Sequence, residues 1–148
     1  MKPRMARLYH APALAGILWA FGREADWLPR VRSRRSDLGL LARVITRGWV
    51  RQIGDRRGPA AFIARDGERI HALYVHPRAR RRGAARALVN EAKAESARLE
   101  LWATEANEPA RAFYRAQGFA EVARSDGRGS DEKLAEILYV WESEAVNG

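Results

Sequence analysis

A short basic turn that follows an apolar run carries residues suited to binding an anionic group. The run, residues 70–75, is rich in β-branched and aromatic side chains, which predicts a strand, and Pro77 ends it. The basic turn, residues 78–83, reads Arg-Ala-Arg-Arg-Arg-Gly. From Ala84 onward, apolar residues recur at helical spacing. The order of elements is therefore strand, basic glycine turn and helix.

Such a turn directs several backbone N–H groups and the positive end of a helix dipole toward one point, which suits a phosphate. Gly83 allows a ligand to come close to the backbone because it has no side chain. Two nucleotide-binding fingerprints do not fit. The mononucleotide loop ends in Gly-Lys-Ser/Thr and the dinucleotide fold has three spaced glycines, and the basic turn has neither. The pattern that remains is Arg80-x-x-Gly83-x-Ala85.

A second patterned segment, residues 107–119, reads Asn-Glu-Pro-Ala-Arg-Ala-Phe-Tyr-Arg-Ala-Gln-Gly-Phe. Asn107 is predicted to cap a helix, Pro109 is tolerated in its first turn and Gly118 closes it. Helical spacing puts four residues on one face of this helix: Ala110, Phe113, Tyr114 and Gln117.

These two segments, in this order, resemble the two signatures of the GCN5-related N-acetyltransferases (GNATs). The first family signature is Gln/Arg-x-x-Gly-x-Gly/Ala, which binds the pyrophosphate of acetyl-CoA, and the strand before it carries the pantetheine arm. Residues 107–119 match the second, Asn-x-x-Ala-x-x-Phe-Tyr-x-x-x-Gly-Phe, position by position. The resemblance covers residues 4–142. It implies an acyltransferase that uses acetyl-CoA and acetylates a primary amine of a small molecule or protein by direct attack.

The resemblance also implies a role for each matching residue. The basic turn and the start of its helix bind the pyrophosphate through backbone amides and arginine side chains. Leu73 and Tyr74 pair with the pantetheine arm, and the amide of Val75 lies at the thioester carbonyl oxygen. Asn107 either hydrogen-bonds the pantetheine or only caps its helix. The residues expected at the cofactor are Leu73, Tyr74, Val75, Arg80, Arg81, Arg82, Gly83, Ala84, Ala85 and Asn107.

Two residues are expected to be catalytic. Tyr114 is the expected acid, because a phenol of pKa about 10 stays protonated at neutral pH and can donate to a thiolate whose conjugate acid has a pKa of about 8.5. The alternative is a core aromatic. For the base, many family members have a glutamate on the strand that here carries His71, whose ordinary pKa is about 6.5. Glu68 in the preceding turn, or a water relay, remains open as an alternative.

The elements that position these residues predict an α/β fold. We expect a single GNAT-like domain at residues 4–142, with a mixed, mostly antiparallel sheet of about six to seven strands and about four helices, and a loose tail at 143–148. Two helices come early, at 12–21 and after a cap at Ser36 or Asp37. The predicted strands cover residues 5–9, 48–53, 60–64, 69–75, 99–104, 119–123 and 137–141.

Composition limits the other classes of function. The chain of 148 residues has no cysteine, which excludes disulfides and thiolate catalysis, and its three histidines show no metal-ligand spacing. No apolar run approaches the roughly 20 residues of a membrane span, so a soluble cytoplasmic protein without a membrane partner is expected. The sequence does not identify the acceptor. In the fold that the resemblance implies, the loops that border the acceptor vary, and here they are about 22–36 and 124–136.

The net charge of +9 comes almost wholly from arginine, since only Lys2, Lys93 and Lys133 are lysines. This charge is either dispersed over solvated faces or a field that attracts CoA, nucleic acid or an acidic protein. The rival hypothesis is a basic nucleic-acid-binding module that keeps the fold without catalysis. It predicts strongly salt-dependent binding to RNA or DNA. The sequence also leaves open whether the chain forms a homodimer.

Overall fold

Seven strands form one mixed sheet in the computed structural model, which describes residues 1–29, 33–128 and 134–144. The helices are α1 (Ala11–Glu24), α2 (Arg34–Thr46), α3 (Ala84–Glu95) and α4 (Glu108–Ala116). The strands are β1 (Arg4–Met5), β2 (Val50–Asp55), β3 (Gly58–Asp66), β4 (Arg69–Val75), β5 (Arg98–Thr104), β6 (Ala120–Ser125) and β7 (Glu136–Glu142). Their order in the sheet is β1-β2-β3-β4-β5-β7-β6. The expected fold class is confirmed.

The helices cover the two faces of the sheet unequally. On one face, α1 and α2 pack over the first four strands, around the buried side chains of Leu14, Ile17 and Phe62. On the other face, α3 and α4 pack over a larger core that includes Leu88, Leu99 and Tyr139. Among the described residues, helices therefore pack on both faces of one half of the sheet and on one face of the other half.

The strands β4 and β5 form the parallel pair of the sheet, and they diverge. Their register is a single pair, Arg69 opposite Glu100, next to a hydrogen bond from the Glu100 amide to the Glu68 carbonyl. All other neighbouring strands are antiparallel. Beyond this pair, the carboxyl-terminal parts of the two strands leave a gap in the middle of the sheet.

A β-bulge in β4 sets which side chains face each layer. Ala72 pairs with Ala64 and Ile70 pairs with Arg65, so His71 is the extra residue. Strict alternation would put Ile70 on the same face as Ala72. Instead Ile70 lies in the core beneath α3, and Leu73 and Val75 pack against that core. Ala72 and Tyr74 pack against the core beneath α1.

Two local predictions near the N-terminus were wrong. The first strand is only Arg4–Met5, because the His10 ring accepts a hydrogen bond from the Arg7 amide and turns the chain into a short 3-10 helix, Leu8–His10. The cap of α2 is Ser33, whose hydroxyl oxygen accepts from the Ser36 amide at 3.1 Å. The expected caps lie inside the helix.

Some predictions concern residues that the structure does not describe. Residues 30–32 of the loop between α1 and α2, residues 129–133 of the loop between β6 and β7, and 145–148 of the expected tail lie outside the described residues. The domain bounds at 4 and 142 stay a prediction. Within the described ranges, no helix is long and apolar enough to cross a membrane.

Candidate active site

A cleft of about 180 Å³ opens at the end of β4. It lies between the basic turn with the start of α3 on one side and the Phe113 ring of α4 on the other, so two segments that are distant in sequence meet there. Its lining residues are Val75, Ala79, Arg80, Arg81, Gly83, Ala84, Ala85, Arg86 and Phe113. Most of the residues expected at the pyrophosphate are brought together in this way.

The N-terminus of α3 faces this cleft without a cap of its own. Gly83 takes the N-cap position with φ of 84°, offers no side-chain acceptor, and has nothing within 4 Å of the place where a Cβ would stand. The first turn holds no acidic residue. Arg81 adopts φ of 63°, a left-handed conformation that an arginine rarely takes outside a constrained site. Free amides and a helix dipole therefore point at open space.

The arginines of the basic turn divide into two groups. Arg78 is structural: its guanidinium donates to the Asp55 carboxylate at 3.2 and 3.3 Å and to the Pro59 carbonyl at 2.9 Å, and this hydrogen bonding lowers the pKa of Asp55. Arg80 pairs with Glu24 at the end of α1, at 2.7 Å. Among the described residues, no ion-pair partner is found for Arg81 or the neighbouring Arg82. Arg82 does not line the cleft.

Tyr114 lies beneath the cleft wall formed by Phe113. Its ring packs among those of Phe113, Phe119 and Tyr139, with centroids 5.5, 5.7 and 5.9 Å away, and the residue is 7% exposed. Burial, with a smaller contribution from Tyr74, raises the pKa of its phenol well above the ordinary value. No described residue accepts a hydrogen bond from its hydroxyl. The phenol therefore stays protonated at neutral pH, and its role as the acid stays a prediction.

The β4 residues expected at the pantetheine point to opposite faces. The Leu73 side chain packs on the α3 side. The Tyr74 ring lies on the α1 side, 5.1 Å from the ring of Phe21 and 5.8 Å from that of Phe62. Only the backbone of this segment is directed along the sheet toward β5, so pairing with an extended arm would use main-chain groups.

His71 and Glu68 lie apart from the cleft. The His71 ring stacks on Trp49 with centroids 5.3 Å apart and planes 9° from parallel. Partial burial, and then the charge of Arg69, lower its pKa. Val75 lies four positions further along the strand, about 13 Å away at a rise of ~3.3 Å per residue. Glu68 pairs with Arg98 at 3.3 Å. The assignment of the base stays a prediction.

Asn107 occupies the capping position that the sequence indicated. Its side-chain oxygen accepts from the Ala110 amide at 3.3 Å, at the first turn of α4. This hydrogen bond uses the oxygen of the side-chain amide and does not involve its NH2 group. A contact with a pantetheine arm stays a prediction.

The model of the acetyltransferase (GNAT) domain family matches residues 45–121, more than half of the chain. This chain belongs to the GNAT family. The family and its enzyme class, an acyltransferase using acetyl-CoA, were predicted from two motifs and are confirmed at the level of the family.

Two curated relatives carry the name peptidyl-lysine N-acetyltransferase YjaB. The protein of Escherichia coli K12 is 33% identical over 94 residues, which is 62% of this chain and 63% of the relative. The protein of Salmonella typhimurium LT2 is 31% identical over 93 residues, with the same two shares. The alignments thus span less than two thirds of the curated relatives' length.

Solved structures share the fold at low sequence identity. The apo form of Escherichia coli YjaB superposes with a TM-score of 0.78 at 23% identity, over 96% of this chain and 97% of that one. A GNAT acetyltransferase from Bacillus cereus ATCC 10987 gives 0.77 at 17% identity, over 96% of each chain. YncA from Salmonella typhimurium, solved with acetyl-CoA, gives 0.72 at 16% identity, over 96% of this chain and 93% of that one.

Sequence reasoning missed several residues of the cleft. Ala79 and Arg86 are the residues directly before and after the predicted cradle, and Phe113 adjoins the predicted acid, so the two motifs already contained the signal. Glu24 is different. It reaches Arg80 across 56 positions of sequence, and no local pattern marks that pair.

Proposed function

We propose that this chain transfers an acetyl group from acetyl-CoA to a primary amine of a small molecule or protein by direct attack. One observation carries the proposal. The uncapped start of α3 opens into the cleft beside the ends of the two diverging strands, so an anion-binding turn adjoins a slot in the sheet. A long ligand with an anionic group behind an extended arm fits that combination.

The cradle would bind the pyrophosphate through two kinds of group. The amides of 81–85 supply donors without cost of rearrangement, because no side chain of the helix competes for them. Arg80 and Arg82 supply positive charge, Arg80 after leaving Glu24. Leu73 and Tyr74 would hold the arm through their backbone, and Asn107 through its remaining amide hydrogens.

The chemistry needs three further roles. The amine nitrogen forms a bond to the thioester carbon while the carbon–sulfur bond breaks, and the Val75 amide would stabilise the negative charge on the oxygen. Tyr114, whose raised pKa keeps it protonated, would donate its proton to the departing thiolate and regain one, through water, from the nitrogen as the amide forms. His71 would accept the proton of the attacking ammonium through water. Its lowered pKa favours the neutral form that this role requires, and Glu68 or water alone are the alternatives.

The acceptor class is proposed from the relatives. YjaB is named a peptidyl-lysine N-acetyltransferase, and a lysine ε-amine is a primary amine on a long, slender stem. We therefore include protein lysines among the acceptors.

The test is calorimetric binding of acetyl-CoA to two matched variants. Gly83→Glu puts a carboxylate into the cradle and should weaken binding by at least ~100-fold through charge repulsion and lost space. Gly48→Glu is the control, because Gly48 also has a positive φ, of 77°, and open space around it, but lies outside the cleft. It should bind like the wild type.

Unchanged affinity in a folded Gly83→Glu variant would defeat the proposal. A short RNA, titrated at two salt concentrations, separates the rival function. RNA binding that falls steeply with salt, without any acetyl-CoA signal, would support the nucleic-acid module instead.

A further inference from the structure

One half of the sheet carries no helix of the described ranges on the face that α1 and α2 cover elsewhere, and its side chains there are half-buried or exposed. The core beneath those helices takes no residue from β5, β6 or β7. The buried side chains of β5 and β7 face α3 and α4, so the alternate residues of these strands point away from both cores. We call this surface the open face; it is formed by Arg98, Glu100, Trp102 and Thr104 of β5 and by Glu136, Leu138, Val140 and Glu142 of β7.

The middle of the open face is apolar. Trp102 pairs across the strands with Leu138, and Glu100 pairs with Val140. Trp102 is 38% exposed. In contrast, the residues of β5 that face α3 are all buried. On the adjoining edge strand, Val122 at a β-bulge is 57% exposed. Exposed aromatic and aliphatic groups grouped on a bare sheet are typical of surfaces that contact a partner.

The charge of the open face opposes that of the chain as a whole. The charged residues of β5 and β7 are Arg98, Glu100, Glu136 and Glu142, and all four lie on this side of the sheet. Arg98 forms ion pairs with Glu68 at 3.3 Å and with Glu100 at 3.2 Å. Three carboxylates and one guanidinium give this side of β5 and β7 a negative net charge around an aromatic centre, in a chain whose net charge is +9.

The open face continues to the end of the sheet at which β4 and β5 diverge. Thr104, its last residue on β5, also lines a recess of about 240 Å³ with Glu105, Ala106, Leu134 and Ala135. Because β4 and β5 are parallel, this recess and the cleft after β4 lie at the same edge of the sheet. A ligand lying along the open face would end beside the gap.

We propose that the open face docks the polypeptide segment around the acceptor lysine, and that this segment is basic. The proposal rests on the proposed function and narrows its acceptor to lysines flanked by arginine or lysine. Negative charge on the face attracts such a segment, Trp102 and Leu138 cover its aliphatic stems, and the recess accepts a flanking side chain. The same charge disfavours RNA, and a two-fold dimer through this face would bring glutamates together.

Binding is tested with fluorescent nine-residue peptides that contain one lysine, flanked by arginines or by glutamates. Fluorescence anisotropy should give a dissociation constant about tenfold lower for the arginine-flanked peptide, and the difference should shrink at high salt. Trp102→Ala should weaken that binding about tenfold and Glu142→Lys about fourfold. Glu95→Lys is the matched control, since Glu95 is 55% exposed on α3, at the other face of the sheet. It should change affinity less than twofold.

A second readout separates this proposal from the enzymatic one. A lysine blocked at both backbone ends has no flanking segment, so its kcat/KM should be equal in wild type, Trp102→Ala and Glu142→Lys, whereas KM for the arginine-flanked peptide should rise in both variants. If acetyl-CoA did not bind and the blocked lysine were not acetylated, the proposed function would be wrong. The peptide affinities from fluorescence anisotropy would still show whether the open face binds a basic segment.

Three outcomes would overturn the docking proposal in folded variants. They are equal binding of the two peptides, wild-type peptide affinity in Trp102→Ala, and a change of sedimentation mass in Trp102→Ala, which would make the face an interface between copies. Competition of a short RNA for the same face, strengthened by Glu142→Lys, would also count against a basic peptide.

Discussion

The helices α3 and α4 both begin after strands that end at the same edge of the sheet, yet their first turns differ in chemistry. In α4, the Asn107 side chain takes up the Ala110 amide, and Glu108 places a carboxylate in the first turn. In α3, Gly83 offers no cap and the first turn has no acid. One helix start is thus completed by its own side chains, while the other has no side-chain acceptor at its N-terminus, as the proposed anion site requires.

The two helices therefore contribute different things to one site. The start of α3 would supply binding, and α4 would supply chemistry through Tyr114. The following predictions test this division, from the largest effect to the smallest.

The largest effect is expected at Tyr114. Tyr114→Phe should lower kcat about 30-fold and leave the acetyl-CoA dissociation constant unchanged, because only the donated proton is lost. Tyr139→Phe is the matched control: that ring lies 5.9 Å away and is also buried, but its hydroxyl bonds Glu121 at 3.0 Å and Arg111 at 3.2 Å. It should lower stability and not kcat. Steady-state kinetics with thermal midpoints decide, and intact turnover in Tyr114→Phe would remove it from the acid role.

The burial of Tyr114 also makes the stability of the fold depend on pH. The folded state holds the phenolic proton above the pKa of about 10 at which the unfolded chain releases it. The folded state then binds more protons, so this group's contribution to stability falls as pH rises above that value. Because folded Tyr114 keeps its proton, the pH profile of the wild-type kcat should show no fall near pH 10 that comes from this group.

A smaller effect is expected at the cap of α4. Asn107→Ala should reduce the free energy of unfolding by about 1 kcal/mol, because the Ala110 amide loses its acceptor. Chemical denaturation measures this. Acetyl-CoA binding should also weaken about threefold, because the amide hydrogens proposed to hold the pantetheine arm are lost. Wild-type affinity in the folded variant would restrict Asn107 to the cap of α4.

The smallest effect is expected at Glu24. Its pair with Arg80 is about half exposed on both sides, so the pair is worth at most ~1 kcal/mol. Glu24→Gln should tighten acetyl-CoA binding about threefold by freeing the arginine. Glu108→Gln is the control. It removes another exposed carboxylate, paired with Arg111 at 3.4 Å, and should leave acetyl-CoA affinity unchanged. Weaker binding in Glu24→Gln would show that the pair positions Arg80 instead of competing for it.

Local chemistry explains which features the sequence could predict. The strand, basic turn and start of α3 follow from contiguous residues, and Ala84 begins the helix as expected. The Asn107 cap follows from a pattern of the same kind. The pair Glu24 with Arg80 and the open face arise from tertiary packing, which no single segment encodes. The cap at Ser33 was missed because three polar residues compete within five positions, and only the path of the chain selects one.

The bulge at His71 has a consequence for how related chains should be aligned. Because one extra residue sends Leu73 and Val75 to the α3 side, the composition of the cleft depends on the number of residues between Arg65 and Val75. A deletion at position 71 would exchange the two faces of the strand end. A gap placed there in an alignment would therefore assign every later residue of β4 to the opposite face of the sheet.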